Sequence, residues 1–132
     1  MKRNGILNSE ISKVLSDLGH TDQITIGDCG LPVPDGVKKI DLALKLGVPS
    51  FQEVLGTVLE DMKVEKVILA SEIKDKNPIQ LSNTKEKLEE GVEETFVSHE
   101  EFKKLTEKSK VIIRTGEDSP YSNIILQSGV IF

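Results

Sequence analysis

The segment 23–36 constrains this chain more than any other. Gln23-Ile24-Thr25-Ile26-Gly27 alternates polar and apolar residues, the period of a half-buried strand. It runs straight into Asp28-Cys29-Gly30-Leu31-Pro32-Val33-Pro34-Asp35-Gly36, where two prolines and two glycines fall within nine residues. Proline fixes φ and removes a backbone donor, so this stretch extends neither the strand nor a helix. A strand delivering a carboxylate to the first position of a stiff loop is a frame on which a site can be built.

The remaining elements fall around it. Ile11, Val14, Leu15 and Leu18 recur on one helical face, with Asn8 or Ser9 as N-cap and Gly19 as a stop. Ile40, Leu42 and Leu44 alternate with polar or small neighbours and predict a second strand. Ser50 and Glu53 form a capping box ahead of a wide apolar stripe, Phe51, Val54, Leu55, Val58, Leu59 and Met62. Val64–Ala70 reads as a strand buried on both faces. The charged stretch 74–83 predicts a surface loop, followed by a short polar helix over 84–90. A brief strand at 95–97 precedes a second capping box, Ser98 with Glu101, and a helix carrying Phe102 and Leu105. Val111–Arg114 is a strand, 115–120 a turn-rich loop, and 124–132 one or two closing strands around Gly129.

Helices alternating with strands predict an α/β fold, a single layered domain over residues 1–132 with a largely parallel (mixed) β-sheet flanked by helices. In such sheets ligands sit beyond the carboxyl ends of strands. Four places qualify: Asp28, Ser71-Glu72, Ser98-His99 and the loop leading to Tyr121.

Composition removes several classes of function. The 132 residues carry a net charge of -5, and no basic block offers the counterion-releasing surface that a nucleic acid requires. The apolar runs fall far short of the roughly 20 residues that cross a bilayer, so membrane insertion is not expected. Cys29 is alone, which excludes an internal disulfide and points to a reducing cytoplasm. Two histidines and one cysteine, widely spaced, make no structural zinc pattern. Neither a P-loop nor a dinucleotide fingerprint is present, and no cofactor signature is found.

Few residues remain to carry chemistry. His20 lies just past a helix C-terminus, where the dipole favours the imidazolium. His99 lies in a first helical turn, where it favours the neutral ring. The plainer readings are a helix-terminating polar residue and a solvated first-turn residue. Asp28 can accept hydroxyl hydrogen bonds or take a proton, or can simply satisfy loop amides in an Asx-type turn. Tyr121 is the only tyrosine, and Pro120-Tyr121-Ser122-Asn123 precedes an apolar strand. This inventory suits proton transfer on a hydroxylated small molecule, and suits passive binding of one nearly as well.

The motifs narrow the choice. Leu18-Gly19-His20-Thr21-Asp22, Asp28-Cys29-Gly30-Leu31-Pro32-Val33-Pro34-Asp35-Gly36-Val37, Ser98-His99-Glu100-Glu101-Phe102-Lys103 and Ile113-Arg114-Thr115-Gly116-Glu117 followed by Pro120-Tyr121-Ser122-Asn123 resemble the D-ribose pyranases, relatives of the fucose mutarotases. The resemblance covers essentially the whole chain in order. The Gly-Leu-Pro-Val-Pro loop and the His-Thr-Asp triplet fit the ribose branch. Gly27, where relatives often have Ala, is a departure expected to loosen local packing.

That resemblance implies an isomerase interconverting β-D-ribopyranose and β-D-ribofuranose, acting beside ribose uptake and phosphorylation with no cofactor or metal. It implies His20 as proton donor, Asp28, His99, Tyr121 and Asn123 as sugar-binding positions, and Ser122 within the same binding stretch. It also implies a ring-shaped homo-oligomer, often a decamer, with sites near subunit contacts. The competing readings are an L-fucose or broader sugar mutarotase, a non-catalytic sugar-binding accessory of ribose transport, and a phosphorylatable histidine carrier. The base that removes the anomeric proton is open among Asp28, His99 and water.

Overall fold

The computed structural model describes residues 1–132. Its elements run α1 (Ser9–Asp17), β1 (Gln23–Gly27), β2 (Lys38–Asp41), α2 (Phe51–Asp61), β3 (Val64–Ala70), α3 (Ile73–Lys76), α4 (Pro78–Lys87), β4 (Glu93–Val97), α5 (His99–Leu105), a 3-10 turn (Thr106–Lys108), β5 (Val111–Arg114) and β6 (Ile124–Ser128). One sheet holds all six strands in the order β2-β5-β1-β6-β3-β4. β1 and β2 both pair parallel to β5, and β3 pairs parallel to β4. β6 lies between β1 and β3 and runs antiparallel to both, so the sheet is mixed through its centre.

Both faces are covered because the central strands carry consecutive apolar residues, whose side chains alternate between the two faces. Ile24, Ile26, Val67, Leu69, Ile113, Ile124 and Leu126 pack with Ile11 of α1 and Phe51, Val54, Leu55 and Val58 of α2. On the other face Ile68, Ile112 and Ile125 meet Phe102 of α5 and Leu31 of the 28–36 loop. Each such side chain contributes about 1.5–3 kcal/mol when fully buried. Local signals fix the two main helices. Asn8 caps α1 through the Ile11 N–H, and the Ser50–Glu53 box is complete, with bonds of 3.1 Å in each direction.

Four sequence expectations are corrected. The second strand stops at Asp41 because its partner β5 stops at Arg114. Beyond Leu42 the chain leaves the sheet, and Leu44 and Leu46 are exposed on a turn closed by the Lys45–Val48 bridge. The segment 74–83 is not a loop: α3 and α4 occupy it, with Pro78 opening α4. The inward face of α4 is polar, Gln80 and Thr84, so apolar spacing could not announce it. Ser98 caps α5 through the Glu101 N–H, but the rest of that terminus is completed by Glu72, whose two carboxylate oxygens accept from the His99 N–H at 3.1 and 3.0 Å. Finally, of the one or two closing strands expected over 124–132 there is one, and it stops at Ser128. After Ser128 the neighbouring strands have reached their first residues, and Ile131 and Phe132 stand fully in solvent.

Candidate functional site

Because β6 runs against its neighbours, its first residue lies at the carboxyl ends of β1, β3, β4 and β5. Asp28 follows β1, His99 follows β4, and Tyr121 and Asn123 precede β6, so all four gather at that one end. Asp28 and Asn123 hold each other directly. The Asp28 N–H donates to Asn123 Oδ1 at 2.9 Å, and Asn123 Nδ2 donates to Asp28 Oδ2 at 3.0 Å. The Gly30 N–H donates to the other carboxylate oxygen at 3.0 Å. Burial pushes the Asp28 carboxyl above its ordinary value. The Gly30 and Asn123 bonds and the nearby His99 ring pull the other way without cancelling it.

His99 is not a solvated first-turn residue. Its ring is edge-on to Tyr121, with centroids 5.2 Å apart, and lies nearly parallel to Phe102. Its Nδ1 atom is buried and has no hydrogen-bond partner. A buried ring nitrogen without a partner costs free energy unless a ligand or water supplies one. Tyr121 adopts φ 57°, a left-handed backbone rare for a non-glycine residue, and so is held against its local preference.

What holds it is a polar network that sequence reasoning did not find. Gln80 Nε2 donates to Ser122 Oγ at 2.8 Å, and Gln52 Nε2 donates to Gln80 Oε1 at 3.0 Å. Asn77 Nδ2 donates to the Pro120 carbonyl at 2.9 Å, and Glu117 accepts from both the Phe51 N–H and the Ser119 hydroxyl. Ser122 is wholly buried and its hydroxyl turns inward to Gln80. It is therefore a strut beneath the Tyr121–Asn123 turn, with its side chain facing away from the open mouth.

The opposite wall comes from the 28–36 loop. It is stitched to the end of β5 and the loop that follows by Arg114 Nε to the Cys29 carbonyl (3.1 Å) and Cys29 N–H to the Glu117 carbonyl (2.9 Å). Gly27 does not loosen this packing. A Cβ there would lie 2.6 Å from a Leu31 methyl carbon and 3.1 Å from Asn123 Oδ1, so the glycine lets both residues close over the strand end.

His20 is elsewhere. It precedes β1, beside the start of β3, where its Nε2 lies 2.9 Å from Glu65 Oε2. β1 alone, five residues long, separates the two ends of the sheet by roughly 16 Å. Within one chain His20 therefore cannot reach a molecule held by Asp28, His99 and Asn123. It faces instead a cleft of about 360 Å³ bordered by Leu15, Asp61, Ser128 and the terminal segment 130–132.

Comparison with known proteins identifies the class to which this mixed six-stranded fold belongs. The chain belongs to the RbsD / FucU transport protein family, matched over residues 1–131. It is 63% identical to a D-ribose pyranase of Lactococcus lactis over 130 residues, 98% of each chain. It is 60% identical to that of Streptococcus uberis over 130 residues, again 98% of each. Identity to the Exiguobacterium sibiricum D-ribose pyranase is 62% over 132 residues, the whole of both. Among solved structures, Bacillus subtilis RbsD complexed with D-ribose is 55% identical, covers 100% of both chains and superposes with a TM-score of 0.96. FucU from Bifidobacterium longum, 24% identical over 96% of this chain and 97% of its own, shares the fold at a TM-score of 0.79.

Proposed function

We propose that this chain is a D-ribose pyranase, an isomerase that exchanges the pyranose and furanose rings of β-D-ribose. The observation that carries the reading is the mouth formed by Asp28, Asn123, Tyr121 and the unpartnered buried Nδ1 of His99. It combines a held carboxylate, an amide, a phenol and an imidazole nitrogen, the groups that fix several hydroxyls at once, in a chain about 60% identical to D-ribose pyranases over its full length.

The chemistry follows from the hemiacetal. A proton passes to the ring oxygen as the C1–O5 bond breaks, and the anomeric hydroxyl gives up its proton to leave an aldehyde. After rotation the C4 hydroxyl adds to C1, its proton leaves, and the carbonyl oxygen takes one up. No atom is gained or lost. On this reading His20 is the donor to the ring oxygen, and the Asp28 carboxylate, held by Asn123 and Gly30, receives the anomeric proton. Positioned acid and base groups supply about 10²- to 10⁴-fold in such steps.

The donor and the binding groups occupy opposite ends of one sheet, so the site is completed between copies: His20 of one chain meets the mouth of the next. Homo-oligomerisation is thus a condition of activity on this reading. The exposed Leu7, Leu44, Leu46, Ile131 and Phe132 supply apolar surface for it. The unpaired Cys29 fits a reducing, cytoplasmic setting. No helix is long and apolar enough to cross a membrane.

Proton NMR saturation transfer between pyranose and furanose anomeric signals, with fucose as control, tests the reading. Faster exchange on ribose, lost in His20→Ala with sugar affinity kept, is the expected result. Binding without acceleration on either sugar overturns it in favour of a passive binder, and acceleration on fucose alone moves the chain to the other branch.

A further inference from the structure

The end of the sheet that carries His20 is built more carefully than an exposed histidine needs. Glu65 is the second residue of β3, and its two carboxylate oxygens have separate partners. Oε2 lies 2.9 Å from His20 Nε2, and Oε1 accepts from Gln127 Nε2 at 2.8 Å. Gln127 is itself held, because its Oε1 accepts from Gln23 Nε2 at 3.0 Å. A line of side chains on β1, β6 and β3, all half-buried, therefore ends on one nitrogen of one imidazole. His20 is 53% exposed and Glu65 36% exposed, a setting in which an ion pair adds little to stability. Orientation is what a braced carboxylate of this kind supplies. Val64–Ala70 reads from the residues as a strand buried on both faces, so no local pattern marks Glu65.

We propose that Glu65 is a positioning residue for His20: it retains the Nε2–H, so that Nδ1 is the atom that gives the proton to the ring oxygen. This rests on His20 being the donor. The proton balance is closed. As the C1–O5 bond breaks, Nδ1–H of the imidazolium transfers its proton to O5, leaving neutral imidazole as the Nε2–H tautomer, still bonded to Glu65. On closure through the C4 hydroxyl, Nδ1 takes that hydroxyl's proton and the imidazolium is restored beside the carboxylate. Glu65 keeps its negative charge throughout; the anomeric proton passes to the Asp28 carboxylate on opening and returns to the carbonyl oxygen on closure, so each step moves one proton at His20 and one at Asp28. Gln127 acts one bond further out, fixing which oxygen of Glu65 is free to face the ring.

The test uses the assembled full-length protein with Glu65→Gln, Glu65→Asp and His20→Ala. Rates come from saturation transfer over a range of ribose concentrations, and the His20 ring nitrogens are read by ¹⁵N NMR. Glu65→Gln is expected to lower kcat about 10- to 100-fold with KM within about twofold, a part of what acid–base catalysis supplies. It is also expected to shift the ¹⁵N signature of His20 away from the Nε2–H tautomer expected in the wild type. Glu65→Asp, which keeps the charge on a shorter stem, is expected to recover part of kcat. A His20→Ala variant that loses exchange, together with a Glu65→Gln variant whose kcat and His20 signals match the wild type, overturns the proposal while leaving the donor assignment standing. A His20→Ala variant with undiminished exchange overturns both. A Glu65→Gln variant that raises KM instead, with kcat and the ring signals unchanged, assigns Glu65 to sugar binding and likewise overturns the proposal.

Discussion

Asp28 and Asn123, 95 positions apart in sequence, form a closed pair in which the backbone of one and the side chains of both are satisfied, at 2.9 and 3.0 Å. The pair ties the carboxyl end of β1 to the start of β6 and sets the direction of both side chains at the mouth. Asn123→Asp replaces the donating amide with a second carboxylate facing the first. Like charges at hydrogen-bond distance disfavour ionisation of both, and a buried partner is lost at a cost of about 1–3 kcal/mol. The expected outcome is a KM for ribose raised at least tenfold, read by saturation transfer, with a lower urea midpoint. A variant with wild-type KM would remove Asn123 from the site.

Asp28 also predicts a pH dependence. Burial holds its folded pKa above the ordinary 3.8, despite the opposing bonds from Gly30 and Asn123. A group raised on folding contributes stability that is complete below the unfolded pKa and is lost as pH rises through the folded one. Wild-type stability should therefore carry a declining component as pH rises from about 4, a component absent in Asp28→Asn. Urea midpoints of the two proteins between pH 3.5 and 7 check this: the wild-type curve should fall relative to the variant as pH rises. Activity should move the opposite way, rising with ionisation of Asp28, and the variant should lack activity across the range.

Gly116 sits where the 45–48 turn closes against the loop after β5. A Cβ there would lie 2.4 Å from the Val48 carbonyl oxygen and 2.6 Å from that of Lys45, both backbone atoms that cannot swing aside. Gly116→Ala is expected to cost about 1–3 kcal/mol, the usual range for overpacking. It should also loosen the Glu117 contacts that support the Tyr121 turn. Chemical denaturation gives the first effect, and a raised KM the second.

Ile131 and Phe132 are fully exposed beside the His20 cleft. If the cleft is covered by the next copy, this tail is covered with it. Ile131→Ser with Phe132→Ser should lower the mass measured by sedimentation and reduce exchange in parallel. The urea midpoint of the isolated chain should change little, since neither side chain is buried within it. An unchanged mass with full activity would exclude the tail from the contact.

How much of this could be read from the residues varies with the range of the interaction. β1, β3 and α2 were legible because alternation, apolar runs and the Ser50–Glu53 box are local signals, and each element ends within a residue or two of its expectation. α4 was not, because its buried face is made of Gln80 and Thr84, whose partners are on α2 and in the turn before β6. Asp28 and His99 could be placed from strand ends alone. Their assembly with Asn123 could not, since it depends on β6 running antiparallel between two parallel neighbours. The separation of His20 from them depends on the same strand and was equally hidden. Glu65 lies in a strand read as buried on both faces and Gln127 in a closing strand, and neither was marked until pairing brought them side by side.

β6 reaches both ends of the sheet, presenting Asn123 at one and Gln127 and Ser128 at the other. On the proposed reading, each copy contributes half of one site and half of the next, with this strand as the rigid bar between them. The count of working sites then follows the count of contacts, not of chains. A lone copy has none, an open row has one fewer than its members, and only a closed ring brings every donor and every mouth into use. Mixing His20→Ala chains with Asp28→Asn chains would then restore activity that neither has alone, because a contact joining an intact donor to an intact mouth would be whole.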